Sequence, residues 1–173
     1  MMVLFKHGIK WAHDLVRPTT AIKHWGNDYL YTYGGDDSLP GPVQIKARDF
    51  EAYIRVMPHP EFPSGSSCLC TAYYEFTDIY LSNMYNDTLK DIGWSESGRK
   101  YTLANLEELR DICGESRLWG GMHYTAAIPA GESICSGLGQ LALDYVQRLK
   151  NNAAFANAHY SGDKLGRCPG RVS

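Results

Sequence analysis

Apolar residues recur every three to four positions along several stretches of the chain, a spacing typical of amphipathic helices. The clearest stretch covers residues 66 to about 85, and its apolar face carries Cys68, Leu69, Tyr73, Phe76 and Tyr80. A second stretch covers residues 102 to about 112, with Thr102 or Asn105 near its start, and a third covers residues 130 to 149. The pattern therefore predicts at least three substantial helices.

The remaining segments are shorter or lack a helical period. Residues 7–16 and 19–25 are predicted as short helices, and residues 49–57 as a further short helix. Residues 26–47 and 86–101 are rich in turn-forming and polar residues, which predicts a long loop and an exposed insertion.

Together these elements indicate the fold class. The alternation of apolar and polar residues that is typical of strands is not visible, and neither is an internal repeat. We predict an all-α protein, a helical bundle of about four to five helices with long loops. The bundle is expected to occupy residues 1–150, and the polar residues 151–173 are expected to form a tail.

Length and charge narrow the classes of function. The chain has 173 residues, of which 44% are apolar, so one domain with a sizeable core is expected. The formal net charge is -2, with 17 basic and 19 acidic residues, which argues against nucleic acid as a partner. No apolar run approaches the roughly 18 residues of a membrane span, and the first apolar run is too short for a signal peptide. A soluble chain is expected, and its compartment stays open.

The five cysteines do not show the spacing of a zinc site. Cys68 and Cys70 are two positions apart, so on a helix their side chains point about 200° apart. An odd number of cysteines also leaves one without a partner. We therefore predict core or free thiols rather than a disulfide framework.

The segment before the longest predicted helix favours anion binding. Proline residues at 58, 60 and 63 hold this segment extended, and His59 lies on it. Ser64 and Gly65 then stand where the helix begins, so that backbone N–H groups and the positive end of the helix dipole are available there. Such a helix start can hold an oxyanion the size of phosphate.

Basic residues elsewhere strengthen this hypothesis. Lys10 and Arg17 are seven positions apart, so on one helix they share a face. Arg117 and His123 are six apart, and the Gly120-Gly121 pair between them could turn the chain back. If these side chains converged, their charge would suit a multiply charged oxyanion. Spacing alone does not bring them together, and a solvated basic face stays the alternative for the first pair.

Three spaced motifs carry a resemblance to a known superfamily. Lys10-x6-Arg17-Pro18, Pro63-Ser64-Gly65 and Ser116-Arg117-x5-His123 occur in this order. They resemble the signatures K-x6-R-P, P-S-G-H and S-R-x5-H of the superfamily that unites vanadium-dependent haloperoxidases, type 2 phosphatidic acid phosphatases and bacterial acid phosphatases. The sequence of residues 59–65 is similar to the corresponding segment of the haloperoxidase branch.

The resemblance implies a cofactor and its ligands. Residues from all three motifs would hold vanadate: Lys10, Arg17, Ser64, Gly65 and Arg117, with His123 as the axial ligand to vanadium. Phosphate could occupy the same site. The implied substrates are hydrogen peroxide and a halide, which leaves as hypohalous acid while vanadium keeps its oxidation state. Lys10 would polarise the peroxide.

Two positions depart from the family pattern. Ser66 replaces the histidine that closes the second motif, and serine does not take up a proton near neutral pH. His59 is a candidate to replace it as an acid–base or halide-side residue, and a plain loop histidine is the alternative. Ala127 replaces the aspartate that orients the axial histidine, which leaves His123 to some other acceptor.

Two other functions stay open. One is an acid phosphatase of the same superfamily that forms a phosphohistidine at His123, although Ser66 argues against it. The other is a non-catalytic oxyanion-binding remnant. Members of the haloperoxidase branch are also much longer and have two helical bundles, with these motifs in the second. The resemblance therefore leaves open a need for a missing N-terminal bundle or for a homo-oligomer.

Overall fold

A computed structural model describes residues 2–33, 41–85, 90–96 and 98–151 of the chain. The predicted tail, apart from its first residue, lies outside these ranges, as does Cys168. Part of the predicted insertion, residues 86–89 and 97, lies outside them as well.

Helices dominate the described part of the chain, as the sequence pattern predicts. The α-helices are α1 (Met2–His13), α2 (Pro18–Lys23), α3 (Gly65–Tyr85), α4 (Leu106–Trp119), α5 (Ala127–Cys135) and α6 (Leu138–Asn151). The longest of them, α3, packs against α4, α5 and α6. The fold is thus a helical bundle arranged around α3, and the predicted fold class is confirmed.

Glycines allow two helices to approach α3 closely. A Cβ atom on Gly131 of α5 would overlap the carbonyl of Ser64, just before α3 begins. A Cβ atom on Gly139 of α6 would overlap the backbone nitrogen of Phe76 in the middle of α3. Both contacts are closer than any larger residue would allow, so these positions fix how α5 and α6 sit on the central helix.

The prediction that the chain has no strands is wrong. Strands β1 (Tyr29–Thr32) and β2 (Val43–Lys46) form one antiparallel pair, and β3 (Lys90–Glu96) and β4 (Arg99–Asn105) form another. Each pair is a small two-stranded sheet joined to no other strand in the described part. Four to seven residues give too little alternation for the period-2 pattern to stand out from the surrounding polar sequence.

Several predicted helices have different bounds in the structure. The helix predicted over residues 7–16 is α1, Met2–His13, and the one predicted over residues 102–112 is α4, Leu106–Trp119. The helix predicted over residues 130–149 is two helices, because the chain turns at Gly137, whose φ of +84° suits glycine. The short helix predicted over residues 49–57 is absent, and one 3-10 turn, Ala47–Asp49, precedes irregular chain. Asn105 is one of the two predicted helix starts. It caps α4, because its side chain accepts a hydrogen bond from the Glu108 N–H at 2.9 Å.

The prediction of free thiols is also wrong for four of the five cysteines. Cys68 is bonded to Cys135, which joins α3 to α5, and Cys70 is bonded to Cys113, which joins α3 to α4. The two-residue spacing turns Cys68 and Cys70 to different sides of α3. Because a different helix packs on each side, this spacing allows the central helix to be tied to two neighbours.

An apolar groove with a volume of about 890 Å³ runs between α3, α5 and α6. Its walls include Leu69 and Tyr73 from α3 and Leu141 and Tyr145 from α6, all of which are largely exposed. Asp144 and Arg148 are among its polar lining residues.

None of the helices in the described ranges is both long enough and apolar enough to cross a membrane.

Candidate functional site

The extended segment before α3 is held in place by a buried lysine from α1. Lys10 is fully buried, and its Nζ donates to the carbonyls of Pro60 (3.0 Å), Glu61 (2.8 Å) and Pro63 (2.6 Å). Three carbonyl dipoles around one ammonium compensate for the loss of its water shell. The first motif therefore positions the backbone of the second motif.

Arg17 connects the same segment to the third motif. Its Nε donates to the His59 carbonyl (3.2 Å), and its Nη1 donates to the Met122 carbonyl (2.8 Å) and contacts His123 Nε2 (3.3 Å). Its Nη2 contacts His59 Nδ1 (3.0 Å) and donates to the Pro60 carbonyl (3.3 Å). A guanidinium has five N–H groups, so these five contacts engage all of them.

A buried carboxylate that the sequence interpretation did not assign faces the ring of His123. Glu61 Oε1 lies 2.7 Å from His123 Nδ1 and accepts the Tyr124 N–H at 3.0 Å, and Glu61 is only 1% exposed. Arg17 can only donate, so the His123 nitrogen that it contacts, Nε2, is the acceptor. The proton of the neutral ring then lies on Nδ1 and is donated to Glu61.

Burial and two neighbouring cations lower the pKa of His123, and Glu61 opposes them. Burial lowers its pKa, and the hydrogen bond to Glu61 opposes that effect. The positive charges of Arg17 and Lys10 lower the pKa further. Burial also lowers the pKa of Arg17, and the charge of Glu61 opposes it. The lowered pKa favours a neutral imidazole beside two buried cations.

The second motif forms the start of α3. Ser64 is fully buried, and its Oγ accepts bonds from the Ser67 N–H (3.2 Å) and the Ser67 hydroxyl (2.8 Å). The Ser64 N–H donates to the Ala127 carbonyl at 2.9 Å, which ties this helix start to the start of α5. Gly65 is the first residue of α3, one position before the predicted start at Ser66.

The third motif places Arg117 at the end of α4, beside the start of α3. Its Nη1 donates to the Ser66 hydroxyl at 3.3 Å, and its Nε is buried and has no hydrogen-bond partner among the residues that the structure describes. A buried donor that no protein group satisfies marks a place where a further acceptor would bind. The chain then turns back at Gly121, whose φ is +69°, as the glycine pair predicts.

The contacts bring the three motifs together in pairs. Lys10 joins the first motif to the second, Arg17 joins the first to His123 of the third, and Arg117 joins the third to Ser66 of the second. We call these residues, with His59, Glu61, Ser64 and Gly65, the cationic cluster. In the described ranges no group of three or more His, Cys, Asp and Glu side chains could hold a metal cation. A cluster of this charge suits an oxyanion instead.

Two features differ from what the resemblance implies. The N–H groups of Lys10 and Arg17 are engaged by carbonyls and histidines of the chain, whereas the resemblance assigns them to oxyanion oxygens. Ala127, which stands in the place of the orienting aspartate, is buried and offers only its backbone, so Glu61 is the acceptor that the ring uses. The sequence offered one indication of Glu61: it lies in the extended segment next to the second motif. It could not show which way the side chain points, because this segment has no helical or strand period.

The fold and the site define the class of protein: a helical bundle that gathers basic side chains and one neutral histidine at the start of its central helix. The family model of the vanadium chloroperoxidase (VCPO) second helical-bundle domain matches residues 2–152. The chain therefore belongs to this family, which confirms the resemblance read from the three motifs.

Two solved structures, the holo-type and the apo-type bacterial vanadium-dependent chloroperoxidase, are similar to this chain. Each is 28% identical to it, has a TM-score of 0.66 and covers 80% of it. The matched part is 32% of the holo-type chain and 33% of the apo-type chain, so the present chain spans about a third of their length. None of the curated proteins matches the chain by sequence.

Proposed function

We propose that the cationic cluster binds vanadate and that the chain, with vanadate bound, oxidises halide with hydrogen peroxide. The observation that carries the proposal is the pairwise joining of the three motifs around His123, a buried ring whose Nε2 lone pair faces the buried cations. The 28% identity to two proteins described as vanadium-dependent chloroperoxidases supports the same assignment.

The residues present fit an oxyanion of this kind. Arg117 Nε is a buried donor without a partner in the described part of the chain, and the Gly65 N–H and the Ser66 hydroxyl lie at the same helix start. We propose that these three donors, with Ser64, contact vanadate oxygens and that His123 Nε2 is the ligand to vanadium. Lys10 and Arg17 then contribute positive charge. Arg17 Nη1 would give up its contact with His123 Nε2 to free that lone pair, and Lys10 would exchange a bond to a chain carbonyl for direct contact.

Each residue has a distinct part in the proposed reaction. Bound vanadate supplies Lewis-acid activation of peroxide. The charges of Lys10, Arg17 and Arg117 stabilise negative charge that develops in the site. His59 Nδ1 contacts both Arg17 Nη2 (3.0 Å) and the Pro60 carbonyl oxygen (3.2 Å), and we propose that this ring moves a proton in place of the family histidine. Ser66 donates or accepts hydrogen bonds only.

Bromide oxidation by hydrogen peroxide, measured with and without orthovanadate, tests the proposal. We expect activity that requires vanadate and that falls at least about a hundredfold in His123→Ala, because the vanadium ligand is lost. Lys100→Ala removes an exposed lysine on β4, outside the cationic cluster, and serves as the control. Activity that a vanadium chelator leaves unchanged contradicts the proposal.

Replacing Ser66 by histidine separates the alternatives. A rise in vanadate-dependent peroxidase activity in Ser66→His means that the rest of the site is intact and lacks only the acid–base group. No change, in a variant that still binds vanadate, favours the non-catalytic remnant. Turnover of simple phosphate esters by the unmodified chain at acid pH would favour the phosphatase.

The need for a missing N-terminal bundle or for a homo-oligomer stays a prediction. The apolar groove between α3, α5 and α6 is a described surface on which large apolar side chains are exposed.

A further inference from the structure

We propose that Glu61 is a positioning residue that holds His123 in the Nδ1–H tautomer, with the Nε2 lone pair turned toward the cationic cluster. The 2.7 Å contact between Glu61 Oε1 and His123 Nδ1 joins residues 62 positions apart in the chain. The consequence for vanadate binding rests on the proposed function, whereas the positioning itself is a property of the protein alone.

The position of Glu61 is fixed by four hydrogen bonds. Its backbone N–H donates to the Leu15 carbonyl at 2.8 Å, and its backbone carbonyl accepts from Lys10 at 2.8 Å. Its carboxylate accepts from the Tyr124 N–H and from the His123 ring. A carboxylate held at both the backbone and the side chain can set the direction of the ring that donates to it.

The contacts of the ring leave one arrangement of its proton. Nε2 faces Arg17 Nη1, which carries hydrogens and no lone pair, so a proton on Nε2 would put two donors against each other. Nδ1 faces a carboxylate oxygen, which can only accept when ionised. Arg17 and Glu61 therefore select the same tautomer from opposite sides of the ring.

Glu61 supplies the carboxylate that orients the His123 ring, which Ala127 cannot supply. Ala127 is buried and offers only a methyl side chain, so the carboxylate that orients the ring comes from the segment before α3 instead of from α5. One short segment then positions both His123 Nε2, through Glu61, and the proposed oxyanion site at the start of α3, because Glu61 and Ser64 are three residues apart.

Histidine-ring ¹⁵N NMR of the whole chain, at mildly alkaline pH where histidine is neutral, tests the positioning directly. The His123 signal is assigned by its loss in His123→Gln. We expect the Nδ1–H pattern in the unmodified chain and in Glu61→Gln, whose amide oxygen still accepts. In Glu61→Met, which has a similar length and no acceptor, only Arg17 still favours the Nδ1–H form, and the buried Nδ1–H loses its acceptor, so we expect a mixture of the two tautomers. An unchanged Nδ1–H pattern in Glu61→Met overturns the inference.

Oxyanion binding separates positioning from a merely structural role. Vanadate requires the Nε2 lone pair, whereas inorganic phosphate binds through charge and hydrogen bonds. We expect Glu61→Met to weaken vanadate binding about 10–100-fold and to change phosphate binding little. Glu107→Met, at an exposed glutamate on α4, is the matched control and should change neither. An equal loss of both oxyanions overturns the inference.

Two further outcomes stay interpretable. If Glu61→Met does not melt cooperatively, Glu61→Asp replaces it, since the shorter carboxylate no longer reaches Nδ1 and the same loss of the Nδ1–H pattern is expected. If the unmodified chain binds neither oxyanion, the proposed function fails, and the NMR result alone decides the role of Glu61.

Discussion

At the residue scale, Lys10 shows how one buried charge can organise a segment of backbone. Its ammonium is surrounded by the carbonyls of Pro60, Glu61 and Pro63, and no regular secondary structure would otherwise satisfy these groups. Lys10 therefore helps to fix the segment that carries Glu61, together with Arg17, which donates to the His59 and Pro60 carbonyls.

Replacing Lys10 by methionine, which has a similar shape, should destabilise the protein strongly. The Glu61 and Pro63 carbonyls lose their donor, whereas the Pro60 carbonyl keeps Arg17, and each unsatisfied group costs about 1–3 kcal/mol, so we expect a loss of at least about 2 kcal/mol. Urea unfolding followed by circular dichroism measures it. Lys100→Met, at an exposed lysine on β4, should change the unfolding free energy little. Equal stability of the two variants would show that the carbonyls find other donors.

His123 should make stability depend on pH. Its lowered pKa means that, as pH falls below about 6.5, the unfolded chain takes up a proton before the folded chain does. The contribution of the ring to stability is therefore complete above about pH 6.5 and is lost as pH falls toward the lowered pKa. Glu61, Arg17 and Lys10 are the charged groups that act on the ring.

Chemical denaturation at about pH 7.5 and about pH 5.5 checks this expectation. The unmodified chain should lose more free energy of unfolding between the two values than His123→Gln loses. If both proteins lose the same amount, the dependence comes from other groups.

At the same scale, the sequence predicts which basic residues belong to the cationic cluster but not which hydrogen bonds they form. Lys10, Arg17, Arg117 and His123 follow from motif spacing. The partner of the His123 ring does not, because Glu61 lies between prolines where no helical or strand period indicates the direction of a side chain. Hydrogen bonds between residues 62 positions apart depend on the packed structure.

At the scale of elements, the start of α3 is shaped by the helix that packs on it. Gly131 of α5 has no room for a Cβ atom, because the Ser64 carbonyl occupies that space and the Ser67 Cβ would lie at 3.3 Å. The close approach allows the Ser64 N–H to bond the Ala127 carbonyl. The geometry of the candidate oxyanion site therefore depends on a glycine outside all three motifs.

Gly131→Ala should push α5 away from the start of α3. We expect a loss of about 1–3 kcal/mol in unfolding free energy, as for an overpacked core, together with weaker phosphate binding. Gly8→Ala is the matched control, because a Cβ at Gly8 in α1 meets nothing within 4 Å and alanine favours a helix. A Gly131 variant as stable as the Gly8 variant would mean that the helix shifts without cost.

The elements themselves were only partly predictable. Long helices gave a clear period, so α3 was placed closely, whereas the predicted second helix ended near Ile112 and α4 continues to Trp119. Strands β1 to β4 are short and paired only with each other, which makes their alternation weak. The disulfides at Cys68 and Cys70 were missed because the packing partners on the two sides of α3 are not visible in a sequence.

At the scale of the whole molecule, the cationic cluster draws on distant parts of the chain. Lys10 comes from α1, Arg117 from the end of α4, and His123 from the turn that precedes α5, while the segment before α3 lies between them. An oxyanion bound there contacts several elements at once. Its binding energy should therefore stabilise the fold as a unit.

Inorganic phosphate should raise the free energy of unfolding with the logarithm of its concentration, once that concentration exceeds the dissociation constant. At a hundredfold excess over the dissociation constant, we expect about 2.7 kcal/mol, or a rise of about 5–11 °C in melting temperature. Circular dichroism and tryptophan fluorescence should report the same shift. Arg117→Gln should abolish the effect and Arg148→Gln, at an exposed arginine on α6, should retain it. A shift seen by only one probe would mean that binding stabilises one part alone.

The two disulfides have a consequence for a chain that has been cut. The hairpin of β3 and β4 lies between Cys70 and Cys113 in the sequence, and both bonds span it. A protease that cleaves this hairpin therefore produces two fragments, one with Lys10, Glu61 and Ser64 and the other with Arg117 and His123, that stay covalently attached. The nicked protein would migrate as one species until it is reduced, and the two halves of the site would remain at high effective concentration and could reassemble after denaturation.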